Sequence, residues 1–250
     1  MKERPMLFSA PMVKAILDGR KTQTRRVMKP KPEFFDKGEG INSNWFVEWC
    51  HPKTGCLIGE WGESEAAPAE VIGCCPYGQP GDRLWVRESF QLAKATGSVG
   101  DEWVGDELLE WEGPLPKTKP GVNTFPAGMG FEWEVYYKAD KEPAPVHWWR
   151  PSIFMPRWAS RVTLKIVNVR VERLQDISKD DAKAEGVSNI WKWDKARNAE
   201  HPEHFVRGVL NPYIANYSVL WDEINGKGAW VLNPWVWVIE FKKLEVENAK

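Results

Sequence analysis

The chain has 250 residues, 42% of them hydrophobic, and a formal net charge of -1. That length and composition supply a folded core, as one large domain or two small ones, and exclude a disordered tail. No apolar run approaches the ~20 residues of a bilayer-spanning helix. Met1-Lys2-Glu3-Arg4-Pro5 has the charge of a signal peptide but no apolar stretch behind it, so a cytoplasmic protein with reduced cysteines is expected.

Pro5 to Phe8 reads as a short buried strand. Ser9 or Ala10 then caps a helix with Pro11 at its first position, where a missing N–H costs nothing. Met12/Ile16 and Val13/Leu17 are apolar pairs four apart, and Gly19 stands where a helix-ending glycine belongs. The helix therefore aims its end at Gly19-Arg20-Lys21-Thr22-Gln23-Thr24-Arg25-Arg26, a stretch too rich in charges and hydroxyls to be a buried wall. On a helical turn Lys21 and Thr24 would share a face; on a strand they would not. A lysine with a depressed pKa can activate a hydroxyl as a nucleophile, and Arg20, Arg25 and Arg26 would push its pKa down. The same residues can grip phosphates, or form a basic surface turn that does neither.

Thr24 to Met28 begins a strand. Residues 29–80 read as an insertion, with a hairpin of 44–50 and 56–61 around the turn Pro52-Lys53-Thr54-Gly55 and a loose connection at 66–69. Gly81-Asp82 turns into the strand Arg83 to Glu88, by its residues an ordinary amphipathic strand; Trp85, Arg87 and Glu88 become further substrate-binding candidates only through the barrel resemblance given below. Residues 91–150 read as a second insertion, with a short helix at 106–111 and a strand at 131–138. His147 to Arg161 interleaves bases with aromatics on a loop; Arg157 and Trp158 belong to it. An unstacked base or single strand needs that combination, and so does a loop pinned by Trp packing.

Val162 to Val171 is the clearest strand, with one phase slip that implies a bulge. Ser178-Lys179-Asp180-Asp181 is a capping-box pattern opening a helix that Gly186 stops. Glu185 falls in its last turn, a poor place for a negative charge because the helix dipole is negative there. That mismatch favours a functional role. Residues 187–212 form a third insertion. A helix over 213–224 shows Ile214, Tyr217, Leu220, Trp221 and Ile224 on one face, and 234–244 is a closing strand apolar on both faces.

Charge is segregated along the chain. Residues 1–30 hold eight Lys/Arg and two acids, 150–173 hold six and one, and 60–112 hold three bases and twelve acids. Such segregation suggests a polyanion-facing side unless fold-back mixes the blocks. Sixteen tryptophans supply core and stacking surface. Cys50, His51, Cys56, Cys74, Cys75, His201 and His204 lack zinc-ligand spacing, so neither a metal nor another cofactor is expected. No phosphate-binding glycine loop, dinucleotide fingerprint or nucleophile elbow is present.

Gly19, Lys21 and Arg26 resemble the G-x-K-x-x-E-x-R signature of ASCH domains, with Thr24 where most of that family has Glu. Thr is the form found in the small bacterial ASCH enzymes that hydrolyse N4-acetylcytidine. Pro80-Gly81-Asp82-Arg83-Leu84, the helix ending Ala182-Lys183-Ala184-Glu185, and Val236-Trp237-Val238-Ile239-Glu240-Phe241-Lys242 are similar to those enzymes too. The pieces cover less than half of the chain, whose whole sequence also resembles phage and prophage ASCH-like proteins. The resemblance implies an α+β fold: a PUA-like mixed β-barrel flanked by short helices, one domain over 1–250 with the three insertions. It implies an amidohydrolase acting on an acylated nucleoside or base, with Thr24 as nucleophile, Lys21 as base and Glu185 as proton shuttle. By charge, Arg26 orients the substrate or stabilises the oxyanion, and Arg20 helps to bind it. The alternatives are a non-catalytic module that binds RNA, DNA or a modified base, RNA more than DNA, and, more weakly, a ribonuclease.

Overall fold

A computed structural model describes residues 1–36, 45–51, 57–62, 67, 69–95, 108–110, 112–115, 117, 134–140, 146–187 and 211–244. The elements in chain order are β1 (Glu3–Leu7), α1 (Ala10–Leu17), β2 (Gln23–Val27), β3 (Glu33–Asp36), β4 (Trp45–Cys50), β5 (Leu57–Gly62), α2 (Ala69–Gly73) and β6 (Arg83–Arg87). They continue with β7 (Phe90–Ala95), β8 (Leu108–Glu110), β9 (Glu134–Tyr137), β10 (Thr163–Arg173), α3 (Lys179–Ala184), α4 (Pro212–Asn225) and β11 (Trp235–Leu244). Short 3-10 turns at Ser152–Phe154, Arg157–Ala159 and Leu174–Asp176 complete the set. The fold is mixed α+β.

Five strands form the main sheet in the order β1-β6-β10-β11-β2. The β1–β6 pair is parallel and the other pairs are antiparallel. Strands adjacent in sequence, β1 and β2, thus lie at opposite edges, joined through α1. The two edges nevertheless approach each other, because the Arg26 guanidinium on β2 donates to the Leu7 carbonyl on β1 at 2.6 Å. Three-stranded sheets β3-β4-β5 and β8-β7-β9 lie in the stretches read as the first two insertions.

β11 is buried on both faces, as its unbroken apolarity predicts, and it divides the core. Trp235, Trp237, Ile239 and Phe241 pack with Val13 and Ile16 of α1 and with Leu84 and Val86 of β6. Val236 and Val238 face the other way, onto Ala182 of α3 and Tyr217 and Trp221 of α4. In β10, Leu164 and Ile166 point into the first core, and a register shift between Ile166 and Asn168 brings Val169 and Val171 back to the same side. The bulge accounts for the phase slip: one extra residue lets two out-of-phase runs share a face. Trp49 of β4 is buried in the first core, its ring edge-on to Trp237 at 5.9 Å, so the hairpin docks on the main sheet.

One local expectation is corrected. The residues of 106–111 that the structure describes form strand β8 and not a helix; β8 pairs with β7, Ala93 opposite Glu110. A helix that short forms only where a cap or tertiary packing supports it, as the Ser178 capping box does for α3, whereas here the adjacent edge of β7 offers hydrogen-bond partners at once. Of the connection expected at 66–69, Ala67 has no regular structure and Ala69 opens α2, while 66 and 68 lie outside the described residues. The turn 52–55 and almost all of the stretch read as the third insertion lie outside the described residues.

Folding also mixes the charge blocks. Arg157 pairs with Glu3 at 2.9 Å, Arg161 with Glu88 at 3.0 Å and Asp140 at 2.5 Å, and Arg170 with Glu172 and Asp181, both at 2.9 Å, and with Glu240. Much of the basic block at 150–173 is therefore neutralised, which weakens the expectation of a polyanion-facing side drawn from it. No helix of the described residues is long and apolar enough to cross a membrane.

Candidate functional site

The site is assembled where the end of α1 meets the end of α3. Ser9 and Pro11 start α1, and Gly19, at φ +73°, reverses the chain as a glycine can without steric cost. The amides of Arg20 and Lys21 both return to the Ala15 carbonyl, at 2.9 and 3.0 Å. Lys21 is thereby placed in an isolated antiparallel bridge with Glu185, and the Thr22 amide donates to Ala184 at 2.8 Å. On the other side the capping box predicted at Ser178 forms, with the Ser178 hydroxyl and Asp181 reciprocally bonded, and α3 runs to its cap at Glu185.

Lys21 Nζ lies 2.6 Å from the Glu185 carboxylate and 2.9 Å from the Glu185 carbonyl. The cation therefore offsets both the carboxylate and the negative end of the short helix, which removes the mismatch noted for an acid at that position. Arg25 holds the other Glu185 oxygen at 3.2 Å and reaches Glu172 and, at 3.4 Å, Asp181. All of Lys21, Arg25 and Glu185 are buried. Burial depresses the Lys21 pKa below the usual lysine value; the Glu185 charge opposes the shift, and the nearby Arg26 and Arg25 charges add to it. For Arg25, burial opposes the charge, but Glu185 and Glu172 outweigh it and hold its pKa up.

A cavity of about 310 Å³ opens beside this network. Its wall includes Thr24, Arg25, Arg26 and Val27 of edge strand β2, Glu185, the α4 residues Tyr217 and Trp221, Trp237 of β11, and Tyr77. Thr24 is buried opposite Ile239 in the β2–β11 ladder. Lys21 does not line the cavity; it stands behind Glu185. The Tyr217 hydroxyl has its pKa raised well above the usual value, first by burial and then by Glu185, so it stays a donor.

The structure thus places Thr24, Glu185 and Arg26 on one cavity and Lys21 in direct contact with Glu185. Lys21 and Thr24 do not share a helical turn: Thr24 belongs to a strand, and Lys21 to the connection before it. Arg20 is exposed, bonded to Asp18 and the Gly186 carbonyl at 3.0 Å each, and does not line the cavity. Trp85, Arg87, Glu88, Arg157 and Trp158 are on or beside β6 and do not line the cavity, although Leu7, to which Arg26 donates, is paired with Arg87. Arg87 and Arg157 lie over the Trp85 ring at 5.3 and 5.9 Å. Glu88 is buried and gripped by Arg161, with its carboxyl pKa raised by burial against that pairing. Trp158 packs on the small cluster of Phe90, Met155 and Ala159.

Sequence reasoning missed Arg25 as a site residue, although it stands inside the basic stretch, and it read Tyr217, Trp221 and Trp237 only as apolar faces. Their spacing signalled burial but not that a cavity would interrupt the packing. Among the described residues no group of three or more His, Cys, Asp or Glu is placed to hold a metal ion; Cys56, His201 and His204 lie outside them.

Compared with family models, with curated proteins and with solved structures, the chain matches none of them.

Proposed function

We propose that this protein is an amidohydrolase that removes an acyl group from the exocyclic nitrogen of a modified nucleoside or base, of the N4-acetylcytidine type. The carrying observation is the buried contact of Lys21 with Glu185 behind a cavity that Thr24 and Glu185 line together. A lysine with a depressed pKa is more readily neutral, which a base acting on a hydroxyl requires. The volume sits at the lower end of the ~300–1,000 Å³ typical of small-molecule pockets and suits one nucleoside, not a length of polymer.

In the proposed reaction Thr24 Oγ1 attacks the acyl carbonyl carbon, and its proton passes through Glu185, which lines the cavity with it, to Lys21 behind. Glu185, in contact with Lys21, relays a proton to the departing nitrogen as the C–N bond breaks. Water then attacks the acyl-Thr24 ester, releasing the carboxylic acid and restoring the hydroxyl. Arg26 orients the substrate, and the Tyr217 and Trp237 side of the wall provides an aromatic surface for a base. The approach of the two sheet edges through Arg26 and Leu7 supports the PUA-like, ASCH-type barrel that this reading carries with it.

The test is release of acetate and cytidine from N4-acetylcytidine by the wild type beside Lys21→Ala and Glu185→Ala. Full turnover in either variant would sink the assignment. A second reading, a binding module without catalysis, draws on the stacks of Arg87 on Trp85 and of Arg150 on Trp148 at 4.7 Å, with Phe154 and Ile153 exposed nearby in sequence. It predicts affinity for single strands that falls with salt and is indifferent to Thr24→Ala.

A further inference from the structure

The hydrolytic reading uses the buried end of the cavity and leaves its exposed side unexplained. Thr24, Glu185, Tyr217, Trp221 and Trp237 are buried, whereas Arg26 is partly exposed and Lys29 exposed. The cations of the wall differ in one respect. Arg25 is balanced by Glu172, Asp181 and Glu185. Arg26 contacts only neutral groups among the described residues, the Leu7 carbonyl at 2.6 Å and the Phe8 ring at 5.4 Å. Lys29 meets no carboxylate among the described residues. Among the described residues Glu185 is the sole carboxylate of the wall, and it already has one oxygen on Lys21 and the other on Arg25.

Donors are in excess as well. The Nε atoms of Arg25 and Arg26 and Nε1 of Trp221 are buried without a hydrogen-bond partner among the described residues, and all three residues line the cavity. Buried donors of this kind are uncommon and call for an explanation. A wall with two cations unbalanced among the described residues and with surplus N–H groups is complementary to a ligand that is anionic and rich in acceptor oxygens. A free nucleoside is neutral and would leave both cations uncompensated.

We propose that Arg26 and Lys29 form a phosphate subsite on the open side of the cavity, and that the ligand is a mononucleotide whose base occupies the aromatic wall. The inference rests on the proposed hydrolysis only for the fate of the acyl group; the subsite itself is a matter of binding. Arg26 supplies a planar fork and Lys29 a point charge, a combination suited to a terminal phosphate. The cavity volume restricts the occupant to about one nucleotide.

The experiment is calorimetric titration of the whole protein with cytidine 5′-monophosphate, cytidine and ribose 5-phosphate at one fixed ionic strength, using wild type and Lys29→Gln. Lys29 is exposed, so the variant folds, and its thermal transition checks that it does. The monophosphate is expected to bind about tenfold or more tightly than either cytidine or ribose 5-phosphate, since each tenfold needs only ~1.4 kcal/mol. In Lys29→Gln its advantage over cytidine should shrink to about threefold or less, while cytidine binding stays within that range. Equal binding of monophosphate and cytidine overturns the proposal, as does an advantage that Lys29→Gln leaves intact. Ribose 5-phosphate binding as well as the monophosphate overturns it too, because that outcome describes an anion site without base recognition. Tight, Lys29-dependent monophosphate binding in a protein that releases no acetate from acetylated nucleoside or nucleotide would retain the subsite and reject the hydrolysis.

Discussion

Lys21 Nζ and the Glu185 carboxylate meet at 2.6 Å across 164 positions of sequence, and neither side chain is more than marginally exposed. The contact joins the chain reversal after α1 to the end of α3, and its two partners are not equivalent. Glu185 answers two cations, Lys21 and Arg25, whereas Lys21 answers one carboxylate and one carbonyl.

That asymmetry orders the cost of removing each. Losing one partner of a buried pair typically costs about 3–5 kcal/mol, because a charge is left uncompensated. Glu185→Ala takes from Lys21 its one carboxylate, leaving it only the backbone carbonyl of residue 185, and deprives Arg25 of one of three acids. Lys21→Ala leaves Glu185 still paired with Arg25. Urea denaturation should therefore rank Glu185→Ala as the less stable variant by ~1 kcal/mol or more. The reverse order would remove Glu185 from the centre of the network.

Thr24→Val keeps shape and strand propensity and deletes the hydroxyl. It should leave the thermal transition within a few degrees of wild type and reduce acyl release about a hundredfold or more, as loss of a nucleophile does. Under single-turnover conditions mass spectrometry should find an acyl adduct on the Thr24 peptide of the wild type. Unchanged turnover in Thr24→Val would assign the attack to water or to another group.

Gly186 follows Glu185 at φ +87°, and a Cβ there would stand 2.9 Å from Lys21 Cβ and 3.0 Å from Ala15 Cβ. Both the backbone conformation and the space favour glycine. Gly186→Ala should lower stability by about 1–3 kcal/mol and displace Lys21, reducing turnover without replacing a proposed catalytic group. Wild-type stability and rate in this variant would show that the loop moves freely.

The depressed Lys21 pKa has a definite sign. Between its native value and the usual 10.5 the unfolded chain binds a proton that the folded chain does not. The Lys21 contribution to stability therefore rises with pH across that window. Relative to Lys21→Met, the wild type should gain stability as pH increases toward 10.5, and kcat/KM should rise with a midpoint below that value. A midpoint at or above 10.5 would leave Lys21 an ordinary lysine and exclude it as the base.

Asp82 provides an independent check at the other end of the pH scale. It accepts the Lys2 amide at 2.7 Å, pairs with Arg4 at 2.8 Å and accepts the Gln79 amide at 3.3 Å, which holds its pKa at about 2 against an ordinary 3.8. A depressed acid stabilises the fold above its unfolded pKa and loses that contribution as pH falls through its native one. Between pH 3.8 and about 2 the wild type should lose stability that Asp82→Asn does not lose. Parallel profiles would show the turn to be dispensable to the β1–β6 pairing.

The secondary structure was largely legible because it depends on neighbours in sequence. Pro11 and Gly19 bound α1, Ser178 and Asp181 cap α3, and the two-faced apolarity of β11 marks a strand buried on both sides. The slip between Ile166 and Val169 declared a bulge. The segment at 106–111 misled because three to six residues carry too little periodicity to separate helix from strand. By itself the sequence determined these elements and, through the spacing of Lys21 and Thr24 and the anomaly of an acid at the end of α3, it marked the residues of the candidate site. Only the tertiary structure decided that Lys21 meets Glu185 and not Thr24, that Arg25 joins them, and that the bases of 150–173 spend much of their charge on local acids. It also decided that Trp85 and Arg87 do not line the cavity. The physical reason is that strand order and long-range ion pairing depend on how distant segments pack, whereas caps, turns and periodicity are settled within a few residues.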